Sequence, residues 1–240
     1  MRTAELFQAW VTRVAPGTRV VICGGVAAWL HGGSRITKVW TNLRGICSRL
    51  RNAQDLATTL DFSKCTVPAD IDTLKTYMRR SPRFTVKGVD TLYHLDAKIS
   101  IPVDYVDANV FYFPPHKADV LVVPVPSKSS LQVLSAPTLL VHKVIATQDR
   151  PITELVLRLT KQLVDATDAQ YLIHKCLQSW QLIQPIHARR FKGDAQRILS
   201  AFTAVSRSVQ VCNDRDFAAW NALVSASGLS SAFRITNSSG

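Results

Sequence analysis

Residues 20–38 read VVICGGVAAWLHGGSRITK, and the fold turns on how this stretch is parsed. Val20, Val21 and Ile22 form a short apolar, β-branched run, Gly24 and Gly25 follow, and VAAWLH then has the composition of a helix. The order is strand, tight turn, helix N-terminus. Glycine at such a turn lets the backbone adopt positive φ and approach a ligand closely, and the first N–H groups of a helix can cradle phosphate. Two glycines describe a plain strand-to-helix turn equally well, so the rest of the chain has to decide.

Outward from this stretch the pattern is uneven. Upstream, Leu6, Trp10 and Val14 recur at helical spacing with Phe7 and Val11 beside them, which predicts an amphipathic helix over residues 3–15 ended by Pro16-Gly17. Downstream of Lys38 periodicity dissolves, and residues 34–52 carry five basic side chains and no acid, as an insertion or surface loop would. TLDFSKCTV then reads as a strand, and PADIDTLKTYMRRSP as a helix opened by Pro68 and Asp70 and stopped before Pro82. Asp70 and Asp72 have the i, i+2 spacing of a carboxylate pair, but their place at that helix start suits capping and dipole-matching acids better. FTVKG, VDTLYHL and KISIPVDYVDA alternate as antiparallel strands, although Pro102 disfavours a central ladder position. FYFPPHKADVLVVPVP is proline-punctuated and reads as an extended connector.

From Ala136 onward helical patterns dominate, in PTLLVHKVIATQD, ITELVLRLTKQLVDATDAQYLIHKCL and AQRILSAFTAVSRSV, with GLSSAFRITNSSG expected to fray. The expected architecture is α+β. A mixed sheet of about four strands with flanking helices occupies residues 1–125, and a helical half follows over 136–235, with the change near 115–136.

The chain has 240 residues, 47% of them hydrophobic, enough for a sizeable core. Its 29 Lys and Arg against 17 Asp and Glu give a net charge of +12, which favours polyanionic partners such as nucleotides, RNA or DNA. The five cysteines form no CxxC pair and no ligand spacing with the six histidines, so a zinc site is not expected. Glu5 and Gln8 interrupt the apolar run a signal peptide needs, and no stretch reaches the roughly 18 apolar residues of a membrane span. An intracellular protein, cytoplasmic or nuclear, with no membrane partner is the expectation.

With these elements in order, the chain resembles the nucleotidyltransferase superfamily, in its branch of small stand-alone or toxin-like proteins. That pattern runs apolar strand, Gly-Gly or Gly-Ser, helix, then R-x-T-x-D-h-D-h, with a third carboxylate on a later strand. Gly24-Gly25 match the first element, Arg35-Ile36-Thr37-Lys38 match R-x-T-x, and Val103-Asp104-Tyr105 takes the place of the later carboxylate. A helical block also resembles the family's continuation, through Leu139, Leu140, Lys143, Arg150, Lys161, Asp165, Asp168 and Leu172. The resemblance covers residues 18–175.

It departs at the metal pair. After Thr37-Lys38 stand Val39-Trp40-Thr41, and the nearest match to the D-h-D-h strand is Thr59-Leu60-Asp61-Phe62, with threonine at the first aspartate position. Residues 39–58 are then an insertion, or retained noncoding sequence.

The resemblance implies a transferase that moves a nucleoside monophosphate from ATP or another NTP to a hydroxyl of a protein, small molecule or RNA. Asp61 and Asp104 are the implied catalytic pair and ligands of Mg²⁺ (or Mn²⁺). Gly24, Gly25, Arg35, Thr37 and Lys143 are the implied nucleotide-binding set. The competing expectation is a noncatalytic nucleotide- or nucleic-acid-binding protein that keeps the fold. Asp165 and Asp168, at i and i+3 of a helix, are expected to pair with Lys161 or Arg158. His31 and His142 read as packed histidines.

Overall fold

The computed structural model describes residues 2–16, 19–33, 60–66, 71–87, 90–94, 100–107, 120–124, 130–148 and 155–235. Two compact units divide the chain, Met1–Leu134 and Ser135–Gly240.

The first unit is a mixed sheet with helices. Helix α1 (Arg2–Val14) precedes β1 (Arg19–Cys23), α2 (Gly24–Leu30), β2 (Leu60–Thr66) and α3 (Ile71–Arg79). Strands β3 (Phe84–Lys87), β4 (Asp90–His94), β5 (Ser100–Asp107), β6 (Val120–Pro124) and β7 (Ser130–Leu134) follow. The seven described strands lie in the order β3-β4-β5-β2-β1-β7-β6. β3, β4 and β5 run antiparallel in sequence, as their alternation predicts. β2 joins β5 in parallel and β1 antiparallel, and β1 joins β7 in parallel.

Two features differ from expectation. The sheet has seven described strands rather than about four, because Val120–Pro124 and Ser130–Leu134 pair as a hairpin at the β7 end. Pro124 fits because β6 is the last described strand there, and a missing N–H is tolerated on an edge. Pro102 does enter a strand with neighbours on both sides. It pairs with Leu92 on β4 and stands one residue ahead of the described β2 ladder, which begins at Val103, so its lost donor falls at a ladder's end.

Helix α1 buries Ala4, Phe7, Trp10 and Val11, a face turned slightly from the Leu6/Trp10/Val14 line read from spacing. The Phe84 ring stacks at 4.6 Å from Trp10, 6.0 Å from Phe7 and 5.1 Å from Tyr93 (centroid to centroid), which joins α1, β3 and β4 in one aromatic cluster. Val20, Val21 and Ile22 are buried in β1.

Gly24 is the pivot of the β1–α2 turn. Cys23 is still extended (φ −128°), and Gly24 swings to φ +66°, a region an L-residue enters only with strain. The helix then buries Gly25, Val26, Ala27 and Ala28. His31 at its end is packed, its Nε2–H donating to the Leu134 carbonyl at 2.7 Å. Gly24→Ala is expected to lower stability by about 1–2 kcal/mol, measured by urea denaturation. An unchanged midpoint would mean that the turn relaxes without strain.

The second unit is helical. Helix α4 (Ala136–Gln148) is buried along ten of its positions, including Leu139, Leu140, Val141 and Val144, so it forms the centre of the unit. Against it lie α5 (Leu155–Gln178) and α7 (Ala195–Ser208). A short α6 (Pro185–Ala188) precedes α7, and α8 (Asp214–Ala226) packs on α5. Helix α8 is missing from the sequence reading, although Asn213 and Asp216 form a capping box that marks its start. The segment expected to fray is docked as far as Ile235. Trp220 Nε1–H donates to the Phe233 carbonyl at 2.8 Å, and the Asn221 side chain holds both N–H and C=O of Ile235 at 2.8 Å.

No helix among the described residues is long and apolar enough to cross a membrane.

Candidate functional site

Three residues far apart in sequence meet in one row of the sheet. Cys23, the last residue of β1, is the register partner of Asp61 on β2, and Asp61 is the register partner of Asp104 on β5. Neighbouring strands stand about 4.8 Å apart, so the two aspartate positions are adjacent on parallel strands, and Gly24 follows directly on the third member of the row. The fold thus places the Gly24 turn, Asp61 and Asp104 at one locus. Gly25 follows in the buried start of α2. Arg35 and Thr37 lie outside the described residues, as do residues 39–58 and Asp70.

Asp61 is the single acid of β2, whose sequence is LDFSKCT. Asp72 falls in the first turn of α3, where a negative charge complements the helix dipole. Asp107, three residues beyond Asp104, has Lys64 as its register partner.

Lys143 belongs to the helical unit. It is almost fully buried on α4, with Nζ at 2.9 Å from Asp165 Oδ1 and 2.7 Å from Asp168 Oδ2, both on α5 and both buried. Burial alone pulls its pKa down, but Asp165 and then Asp168 overcome this and hold the ammonium above its ordinary value. The two aspartates therefore pair with Lys143 rather than with Lys161 or Arg158. The reason is steric: α4 and α5 pack together along this face, whereas Arg158 and Lys161 are exposed on the preceding turns of α5. The i, i+3 spacing of the carboxylates was legible in sequence, and the cation facing them from another helix was not.

A second polar centre ties α5 to α8. Asp216 accepts from Gln170 Nε2 at 3.0 Å and from the Asn213 backbone N–H at 2.8 Å, with His174 Nε2 at 2.7 Å. Burial would raise the Asp216 pKa, but the bond from His174, then those from Asn213 and Gln170, hold it below the usual value. A carboxylate lowered in the fold stabilises fully above its unfolded value near 3.8, and that contribution is lost as pH falls through the lower folded value. In acid titrations followed by circular dichroism, wild type should therefore lose its stability margin over Asp216→Ala below about pH 4. A margin independent of pH would remove this linkage.

Burial makes Cys176 and Cys212 poor nucleophiles. Burial pushes Cys176 up to about 12 and Cys212 up to about 11, and Cys23 is buried beside the Gly24 turn. No group of three or more His, Cys, Asp or Glu among the described residues could hold a metal ion. Asp61 and Asp104 are thus two acidic residues at neighbouring register positions of the sheet.

Taken with the element order, the chain has the mixed α+β fold of nucleotidyltransferase-like proteins, a sheet with flanking helices followed by a helical half. Among solved structures it is similar to the crystal structure of an antigenic nucleotidyltransferase-like protein from Paracoccidioides brasiliensis, at 12% identity and a TM-score of 0.53 over 88% of this chain and 91% of that one. At such identity the likeness is one of fold. No protein family and no curated protein is matched by the sequence.

Proposed function

We propose that this protein is a nucleotidyltransferase-like enzyme that moves a nucleoside monophosphate from ATP or another NTP to a hydroxyl acceptor, with a reduced metal site. The register row Cys23–Asp61–Asp104, with Gly24 at its end, is the observation that carries the reading. The acceptor oxygen bonds to the α-phosphorus, the bond to the β-phosphate oxygen breaks, pyrophosphate leaves, and the hydroxyl proton passes to solvent or a carboxylate. Asp61 and Asp104 would hold Mg²⁺ or Mn²⁺, which supplies charge neutralisation at the reacting phosphate. The Gly24-Gly25 backbone, with Arg35 and Thr37, contacts the triphosphate. Lys143 is the nucleotide-binding candidate of the helical unit, where a phosphate would compete with Asp165 and Asp168. Three buried free thiols suit a reducing, intracellular setting.

A second reading is favoured by the single acid of β2: the fold is retained for binding nucleotide or nucleic acid without turnover. The two separate in one assay. Purified protein is given each NTP with Mg²⁺ or Mn²⁺, and pyrophosphate is measured with and without RNA or protein acceptors. Metal-dependent release supports transfer. Nucleotide binding without release from any NTP supports the second reading.

A further inference from the structure

Three arginines meet where α3 passes into β3. Residues 75–87 read KTYMRRSPRFTVK, with five cations and no acid. Helix α3 buries Leu74 and Met78, one turn apart, and leaves Thr76, Arg79 and the following Arg80 exposed on its other side. It closes with Arg80 N–H donating to the Tyr77 carbonyl at 3.2 Å and Ser81 N–H to that of Met78 at 2.9 Å. Phe84 N–H then donates to the Ser81 carbonyl at 3.1 Å, and this tight turn keeps Arg83 close to the helix end. The Arg83 carbonyl accepts from His94 N–H on β4 at 2.8 Å, and its Nη1 donates to the hydroxyl of the buried Tyr93 at 3.2 Å. Arg83 is therefore exposed yet fixed, by a neutral partner that leaves its charge in place.

The charges nearby are one-sided. Lys143, Arg197 and Arg207 each rest on a carboxylate, whereas Arg79, Arg80 and Arg83 form no ion pair among the described residues. Asp72 shares a turn of α3 with Lys75 and stands two turns, about 10 Å, before Arg79. Asp90 is the register partner of Lys87, about 13 Å along β3 from Arg83. On α1, Trp10 packs on Phe84, the exposed Arg13 follows one turn later, and Glu5 lies more than a turn before. Lys75 and Lys87 thus have acids beside them, and the three arginines do not. The helix dipole accounts for Arg79 in the last turn but not for Arg83, which stands beyond the helix. Side by side the three repel, which a bound polyanion would offset.

Planar guanidinium forks match phosphate oxygens, and Tyr77, three residues before Arg80 on the helix surface, adds an exposed ring on which a base can stack. An acidic peptide fits the arginines but offers the ring few π-faces. An anionic membrane fits less well, because Asp72, Thr76, Arg79 and Arg80 give the exposed side no aliphatic chain to enter lipid.

We propose that Arg79, Arg80 and Arg83, with Tyr77, form a docking surface for the phosphate backbone of a single-stranded nucleic acid. This deepens the nucleic-acid-binding reading and rests on no step of the transfer reaction.

The test uses the full chain with fluorescein-labelled oligo(rU) and oligo(dT) of about twelve nucleotides, followed by anisotropy over a salt series. Wild type should bind at least one strand with steep salt dependence. Arg79→Gln/Arg80→Gln/Arg83→Gln should bind about tenfold to a hundredfold more weakly at low salt, with a slope flatter by about 2, because three phosphate contacts are lost. Arg158→Gln/Arg189→Gln/Arg215→Gln removes the same charge from exposed positions of the helical unit and should keep the wild-type slope. Tyr77→Leu should weaken binding about tenfold with the slope unchanged, since it removes stacking and no charge. If the first triple variant melts lower than wild type through loss of the Arg83–Tyr93 bond, Arg79→Gln/Arg80→Gln keeps that bond and should still flatten the slope by about 1. NTP binding, measured alone, should be the same in every variant, so a protein that binds NTP and neither strand overturns the surface and leaves the transfer reading standing. Equal effects of the two triple variants, unchanged binding by Tyr77→Leu, or tighter binding of poly-glutamate or anionic vesicles through the same arginines would also overturn the assignment.

Discussion

Lys143→Met is expected to destabilise the helical unit by about 3–5 kcal/mol, read as a large fall in the urea midpoint. The substitution removes the ammonium that both Asp165 and Asp168 bind, in a site where their side chains are 0% and 2% exposed. An uncompensated buried carboxylate lacks the water that would solvate it, and that loss outweighs the apolar packing methionine restores. Total stabilities are only about 5–15 kcal/mol, so a partly unfolded population is expected at modest temperature. The triple variant Lys143→Met/Asp165→Leu/Asp168→Leu should recover most of the loss, because it deletes the charges together. With Lys143 held above its ordinary value of 10.5, the stability linked to its own protonation is fully present just below that pH and is lost as pH rises through the higher folded value. The triple variant also separates stability from any phosphate role: full activity in a stable protein would dismiss Lys143 from nucleotide binding. Equal stability of Lys143→Met and wild type would mean that both aspartates find other partners.

What the residues disclosed in advance follows from how local each signal is. The β1–Gly24–α2 unit was legible because β-branched residues, a glycine required at positive φ and an apolar helix are adjacent in the chain. So were β3, β4 and β5, whose alternation is intact and whose connections are short. The β6–β7 hairpin was obscured because prolines at its margins resemble a connector, although Leu131 and Val133 alternate inward. Helix α8 is hard to read in the sequence despite its capping box, since the FAAWNALV run is short and follows a polar stretch. At the site, Gly24, Asp61 and Asp104 were singled out from a motif, but nothing local to Asp61 says that its strand will lie between those bearing Cys23 and Asp104. That register comes from parallel pairing between segments some forty residues apart, a tertiary outcome set by which faces must be buried.

That register is also why Asp104→Asn should have the largest effect on activity. The change keeps the size of the side chain and removes its charge. Loss of a direct metal ligand is expected to cost more than loss of a residue that only orients one, so metal-dependent pyrophosphate release should fall by at least on the order of a hundredfold. Asp61→Asn should behave alike, and the double variant should be little worse than either single one, because on the proposed mechanism the two would hold one ion and act as a unit. Asp107→Asn is the control. It alters the same strand three positions away, at the row of Lys64 rather than that of Cys23 and Asp61, and should leave turnover within a few-fold of wild type. Melting temperatures of all four variants, taken alongside, separate lost chemistry from lost fold. Raising Mn²⁺ should partly rescue the single variants if the defect is metal affinity, since a weakened site fills at higher ion concentration. Turnover by Asp104→Asn equal to wild type would remove Asp104 from the reaction and leave the row as a feature of the sheet alone.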